Sequence, residues 1–184
     1  MLPANATLIL IDVQTGFDEA YWGERNNPDA EQKIELLLGR WRESGRPVIH
    51  VRHDSTEPTS ALRPDAPGNA LKPEATPRPG EPVVGKHVNS AFIGTDLEAR
   101  LKAGETDTVV LCGFTANHCV STTARMAGNL GFKTYVLSDS TVAYAMKSPS
   151  GRLIPAELMH EVGMTELNNE FATITTTDEI IAQL

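Results

Sequence analysis

Cys119, Lys86 and Asp12 are the residues whose types could together carry covalent chemistry. Cys119 closes the stretch Val109-Val-Leu-Cys-Gly-Phe-Thr-Ala-Asn-His-Cys119, which reads as a hydrophobic strand, a turn over Gly113 and the start of a helix. A cysteine at a helix N-terminus faces unpaired N–H groups and the positive end of the dipole, and both favour the thiolate. A strand–turn–helix can also aim backbone donors at a substrate oxygen. The same local pattern also fits a buried structural cysteine. Lys86 ends the short run Pro82-Val-Val-Gly-Lys86, and Asp12 ends the apolar run Thr7-Leu-Ile-Leu-Ile-Asp12. Taken singly, the lysine fits a solvated terminal charge and the aspartate a turn or cap. Taken together, a cation lowers a thiol pKa, and a carboxylate can accept the thiol proton and hand it to a leaving amine. That combination is a nucleophilic site for an acyl group.

Such a site requires elements that bring residues 12, 86 and 119 to one place. The run 7–13 is β-branched and apolar, as in a strand buried on both faces of a parallel sheet. A helical stripe of Ile34, Leu37, Leu38 and Trp41 within 29–44 leads through Gly45 to a second strand, 47–52. Strands follow at 82–86, 108–112, 133–137 and 171–175. Between them lie helices over 95–102, 120–130 and about 152–167, and a short one begins after Thr176. Thr95–Glu98 and Thr176–Glu179 have capping-box spacing, and Leu158, Met159 and Val162 are expected to face inward. The alternation predicts one α/β domain over residues 1–184, three layers with a mostly parallel sheet of about six strands flanked by helices. Open sheets of this kind place their ligands at the carboxyl ends of the strands, where Asp12, Lys86 and Cys119 would meet. Residues 55–82 form a long Pro-rich loop, expected to serve as a lid, substrate wall or subunit contact.

Composition narrows the partners. A formal charge of -8 from 24 acidic and 16 basic residues argues against nucleic acid or an anionic membrane. No apolar run is long enough to span a bilayer, and the first residues lack the pattern of a secretion signal. Two cysteines are too few for a disulfide scaffold, so a reducing cytoplasm is the expected home.

Four motifs, in order and spacing, cover nearly the whole chain: Leu8-Ile-Leu-Ile-Asp-Val-Gln-Thr-Gly-Phe17, Gly85-Lys-His-Val-Asn-Ser-Ala-Phe92, Val110-Leu-Cys-Gly-Phe-Thr-Ala-Asn-His-Cys-Val120, and the segment around Asp139 with the helix and strand after it. With these the sequence resembles the isochorismatase-like cysteine hydrolases, a superfamily that includes nicotinamidase, N-carbamoylsarcosine amidase, and ureidoacrylate and biuret hydrolases. The resemblance implies a catalytic triad of Asp12, Lys86 and Cys119, and a cis peptide at Phe114–Thr115. It implies an oxyanion hole from the N–H groups of Thr115 and Cys119. It also implies hydrolysis of a small amide, carbamoyl or ureido compound through a cysteine thioester, in a homodimer or homotetramer. The segments 55–82 and 144–160 are the candidate subunit contacts.

Nicotinamidases of this superfamily carry a metal on an Asp-x-His pair and a later histidine. Here the region reads His50-Val-Arg-His-Asp54, with no histidine from 55 to 86, so no metal or cofactor is expected. His50, His53 and Asp54 keep a minor metal reading beside a role in orienting groups or contacting substrate. The substrate-binding set is placed on Gln14, Phe17, Phe92, Phe114 and Asn117, with Trp22, His118 and Tyr144 as further candidates. His118 is expected to point away from the site. Two other functions fit the same fold. One is an isochorismatase-type vinyl ether hydrolase, for which the thiol is not needed. The other is a non-catalytic oligomeric binding protein, which would not need all three of Asp12, Lys86 and Cys119.

Overall fold

The first strand sets the layers. In the computed structural model, which describes residues 1–184, Thr7–Ile11 forms β1 and every one of its residues is buried. Alternate side chains point to opposite faces. Leu8 and Leu10 join one apolar cluster, Ile9 and Ile11 the other. The first cluster is closed by α1 (Ala30–Glu43) through Ile34, Leu37, Leu38 and Trp41, and by α5 (Thr177–Ile181) through Ile180. The second is closed by α2 (Leu97–Ala103), α3 (Ser121–Asn129) and α4 (Ala156–Leu167). The result is the expected three-layer α/β arrangement.

The remaining strands of the sheet are β2 (Val48–His53), β3 (Val83–Lys86), β4 (Thr108–Phe114), β5 (Lys133–Val142) and, later in the chain, β8 (Thr173–Thr175). Their order is β3-β2-β1-β4-β5-β8, and every neighbouring pair is parallel. A separate antiparallel ribbon pairs β6 (Met146–Lys147) with β7 (Leu153–Ile154). No helix is long and apolar enough to cross a membrane.

Several local expectations are corrected. The fourth strand does not turn at Gly113 but runs on to Phe114, and its register with β5 shifts between Leu111 and Gly113. Gly113 has φ 121°, and a Cβ there would lie 2.1 Å from the Ile11 carbonyl oxygen, so the strand needs glycine to pass β1 this closely. Thr95 does not close a capping box. Its hydroxyl donates to the Ala91 carbonyl and accepts from the Leu97 N–H, and α2 starts one residue later than the spacing suggests, with Asp96 at the N-cap. Thr176 and Glu179 do form the reciprocal box. In α4 the buried residues are Ala156, Gly163, Met164 and Leu167, whereas Leu158 and Val162 are exposed. Gly163 faces the Ala116 carbonyl in the turn after β4, so this face of α4 is covered and the larger aliphatic side chains lie on the other.

The Pro-rich segment is ordered against the rest of the domain. The Thr15 N–H donates to the Ala70 carbonyl and the Lys72 N–H to the Val13 carbonyl, both at 2.9 Å. Gly16 and Gly68 touch: a Cβ on Gly16 would meet the Gly68 carbonyl oxygen at 2.9 Å, and one on Gly68 would meet the Ala61 carbonyl oxygen at 2.6 Å. Asn69 lies buried at the base and donates to the Leu62 carbonyl and to Asp54 Oδ1, both at 2.9 Å.

Candidate active site

Each of the three candidate side chains is delivered by a strand end or the turn beyond one. Asp12 follows β1 directly and takes φ 50°, a left-handed conformation that few residues other than glycine, asparagine and aspartate adopt. Lys86 is the last residue of β3 and is in register with His53, the last residue of β2. Beyond β4 the Phe114–Thr115 peptide is cis, and residues Ala116–Val120 form a π-helical turn that runs into α3. Cys119 lies in that turn.

The Lys86 ammonium is the centre of the cluster. Its Nζ is 2.7 Å from Asp12 Oδ2, 2.8 Å from His53 Nδ1 and 3.2 Å from Cys119 Sγ. Lys86 and Asp12 are both fully buried, and Cys119 is nearly so. A lone ammonium here would be costly, and the Asp12 carboxylate offsets that cost. The Asp12–Lys86 contact is an ion pair without hydrogen-bond geometry, and Asp12 Oδ1 has no partner at all. Burial pushes the Asp12 carboxyl above its ordinary range, against the pull of Lys86. Burial, reinforced by the Asp12 charge, pushes the Cys119 thiol up to about 12. This reverses the expectation of a thiolate stabilised by cation and helix dipole, because desolvation outweighs both. At neutral pH the sulfur keeps its proton, with a buried, under-solvated carboxylate beside it to receive that proton. Burial and the Lys86 charge hold His53 down at about 4, so its imidazole is neutral and Nδ1 accepts a hydrogen bond from the Lys86 ammonium.

Asp12, His53 and Cys119 offer ligand atoms within 4.8 Å of one another, a spacing that suits a cation. The cation already at their centre is Lys86 Nζ, so the donor set is occupied by the protein's own charge. The other grouping considered, His50 with His53 and Asp54, does not converge. His50 Nε2 pairs with Glu81 at 3.1 Å, and Asp54 accepts from Arg52 at 2.8 and 3.1 Å.

Above the cluster opens a cavity of about 600 Å³. Asp12, Cys119, His53 and Thr115 form its floor, and Phe17, Tyr21 and Trp22 form an aromatic wall. The loop residues Glu57, Thr59, Ser60 and Leu62 stand opposite, with Asn89 and His118 completing the rim. The Thr115 N–H makes no hydrogen bond within the chain and sits beside the nucleophile turn.

Of the residues assigned to substrate binding from the sequence, Phe17 lines this cavity. Gln14 does not: it is fully buried, accepts from the His53 N–H at 2.8 Å and donates to the His53 and Asn69 carbonyls at 3.0 Å. Its work is to pin strand end and loop together. Phe114 is also fully buried, stacked behind Phe17 with ring centroids 5.1 Å apart. Phe92 packs on Phe132 at 6.0 Å on the other side of the sheet edge. Asn117 lines an adjoining hollow of about 210 Å³ with Tyr144 and Met146. His118, expected to point away, turns to the cavity with Nδ1 3.0 Å from the Thr115 hydroxyl, because the π-helical turn rotates its side chain relative to a regular helix start. Sequence reasoning missed Tyr21, Glu57, Thr59, Ser60, Leu62 and Asn89. The only signal for the loop residues was the length of the Pro-rich segment, and Asn89 lies within the Lys86 motif.

Comparison with known proteins agrees with this arrangement. An isochorismatase domain model matches residues 6–179. The chain is 48% identical over 174 residues to the isochorismatase family protein YrdC of Bacillus subtilis, covering 95% of this chain and 93% of that one. It is 30% identical to the ureidoacrylate amidohydrolase RutB of Methylobacterium radiotolerans, covering 76% of this chain and 67% of the other. A crystal structure of an isochorismatase-family hydrolase from Chromobacterium violaceum superimposes with a TM-score of 0.95 at 42% identity, covering 99% of this chain and 94% of that one. With a cysteine, a buried carboxylate and a buried ammonium in contact at the floor of its cavity, the site is that of a cysteine hydrolase, and the chain belongs to the isochorismatase family.

Proposed function

We propose that this protein hydrolyses the C–N bond of a small amide, carbamoyl or ureido compound through a thioester on Cys119, without a metal or cofactor. The observation that carries the reading is the Lys86 ammonium held between Asp12 Oδ2 and Cys119 Sγ at the cavity floor. Cys119 Sγ attacks the carbonyl carbon as its proton passes to Asp12. The carbonyl π pair moves onto oxygen, which the N–H groups of Thr115 and Cys119 hold. Collapse of this adduct breaks the C–N bond, and the departing amine takes the proton from Asp12. Water then adds to the thioester, losing a proton to Asp12. The acid leaves, and sulfur recovers its proton. The raised Asp12 pKa suits a group that must both take and return a proton, and Lys86 holds the carboxylate and balances its charge throughout. The vinyl ether alternative leaves the placement of the thiol without a use.

The test is ammonia release over a panel of primary amides, ureas and carbamoyl amino acids. We expect at least one to be turned over by the wild-type protein and by no preparation of Cys119→Ala. Full activity in that variant would sink the reading. We further propose a single domain over 1–184 that works in the cytoplasm on a small molecule, as a homodimer or homotetramer. Both cysteines are free, which suits a reducing compartment, and exposed Leu153, Leu158 and Val162 supply an apolar surface for self-association. Sedimentation velocity checks the oligomer.

A further inference from the structure

The cavity has a charge pattern that the hydrolytic reading does not use. Its floor pairs Asp12 with Lys86, so those two charges cancel. His53 and His118 are neutral at pH 7, both held down by burial. No arginine lines the cavity, and the nearby Arg52 is paired with Asp54. One full charge therefore stands unpaired on the cavity wall, the carboxylate of Glu57, which makes neither an ion pair nor a side-chain hydrogen bond. Facing the same space are Phe17, Tyr21 and Trp22, with the Phe17–Trp22 ring centroids 4.9 Å apart and the Tyr21–Trp22 centroids 5.0 Å apart. An aromatic wall beside an unpaired carboxylate is the chemistry that receives an organic cation. The rings supply their negative faces and the carboxylate supplies the counter-charge. The same surroundings oppose a carboxylate-bearing ligand, since nothing in the cavity would neutralise it. The net charge of -8 draws in the same type of molecule.

We infer that the substrate carries a positive charge, an ammonium or guanidinium, at the end remote from the scissile carbonyl, and that Glu57 and the Tyr21–Trp22–Phe17 wall select it. The inference rests on the proposed function above, because attack by Cys119 fixes which end of the substrate lies deep in the cavity.

Binding separates the two ideas. Cys119→Ala lacks the nucleophile, so its affinity for an amide is measured without turnover, by calorimetry and by quenching of Trp22 emission. Three matched probes are used: a benzamide bearing a meta-aminomethyl group, one bearing a methoxymethyl group and one bearing a carboxylate. The aminomethyl probe should bind about five- to ten-fold more tightly than the neutral one, and the carboxylate probe more weakly still. The additional replacement Glu57→Gln, on an exposed loop, should remove most of that preference. In 0.5 M salt the preference should shrink. Equal affinities, a preference for the carboxylate, no binding of any probe at millimolar concentration, or a preference untouched by Glu57→Gln would each overturn the inference. Charge-selective binding by a protein that hydrolyses none of a cationic amide panel would instead count against the proposed function alone.

Discussion

The molecule holds two buried lysine–carboxylate clusters, and they are built to opposite ends. Behind Phe114, Glu31 receives two hydrogen bonds from Arg25 at 2.7 Å and one from Lys72 at 2.8 Å, while Lys72 also pairs with Asp18. Burial would raise the Glu31 pKa, but these donors overcome it and hold the group at about 2. At the cavity floor, Asp12 has one ion-pair contact and an unpartnered second oxygen, and burial wins. Both clusters take charge out of water. The first satisfies every lone pair it can and so fastens α1 to the loop carrying Lys72. The second leaves a carboxylate short of donors next to a thiol, in place to take its proton. What marks a buried ion pair as reactive is the bonds it lacks.

The widest gap between the clusters should appear on removing the thiol. Cys119→Ala is expected to lower kcat/KM by about 10⁴-fold or more while leaving the urea-unfolding midpoint nearly unchanged. Asp12→Asn should cost kcat about 10²- to 10⁴-fold, since the amide cannot take the proton, and should also lower stability because the buried Lys86 loses its counter-charge. Glu31→Gln acts the other way round. It leaves the buried Lys72 and Arg25 without their main counter-charge and should lose about 2–4 kcal/mol of stability, read by denaturant titration, with KM little changed. Acid sharpens the contrast. Glu31 is held at about 2 in the folded protein against its ordinary 4.5, so the unfolded chain takes the proton first. Its contribution is present above pH 4.5 and is lost as pH falls toward 2, a segment of the stability–pH curve that Glu31→Gln should flatten. His53, about 4 when folded against 6.5, likewise contributes fully above pH 6.5 and loses its contribution as pH falls toward 4. The smallest effect is expected at Phe92, where replacement by leucine should leave KM within about two-fold, because the ring packs on Phe132 away from the cavity.

How much of this was legible in the sequence follows the periodicity. The first strand, buried on both faces, reads as an unbroken apolar run that places Asp12 at its end, while Lys86 closes the short edge strand β3, and parallel topology brings the two ends to one edge. The loops carry no such period. The hydrogen bonds that set Gln14 under the site run to the backbone of His53 and Asn69, far along the chain, and no local pattern encodes them. Phe114 and Phe17 are alike as residue types. What separates them is that Phe114 ends a strand covered on both faces, while Phe17 sits on a 3₁₀ turn at the rim. The outward turn of Leu158 and Val162 follows from which face of α4 packs on α3 and the turn after β4, which hydrophobicity alone does not weigh. The protonated state of Cys119 is set by its degree of burial, a property of the finished fold.

The loop over 55–82 divides into an anchor and a tip. Gly16 against Gly68, and Gln14 and Asn69 around the end of β2, fix the anchor to the framework. The tip at Glu57–Leu62 faces the cavity and is tied down mainly through the Ser55 and Leu62 backbones. A change of residue at the tip is therefore expected to alter the cavity wall without touching Asp12, Lys86 or Cys119. The tip alone is the part to exchange, and grafting another six residues between the same anchor points is a direct way to test whether it sets what reaches Cys119.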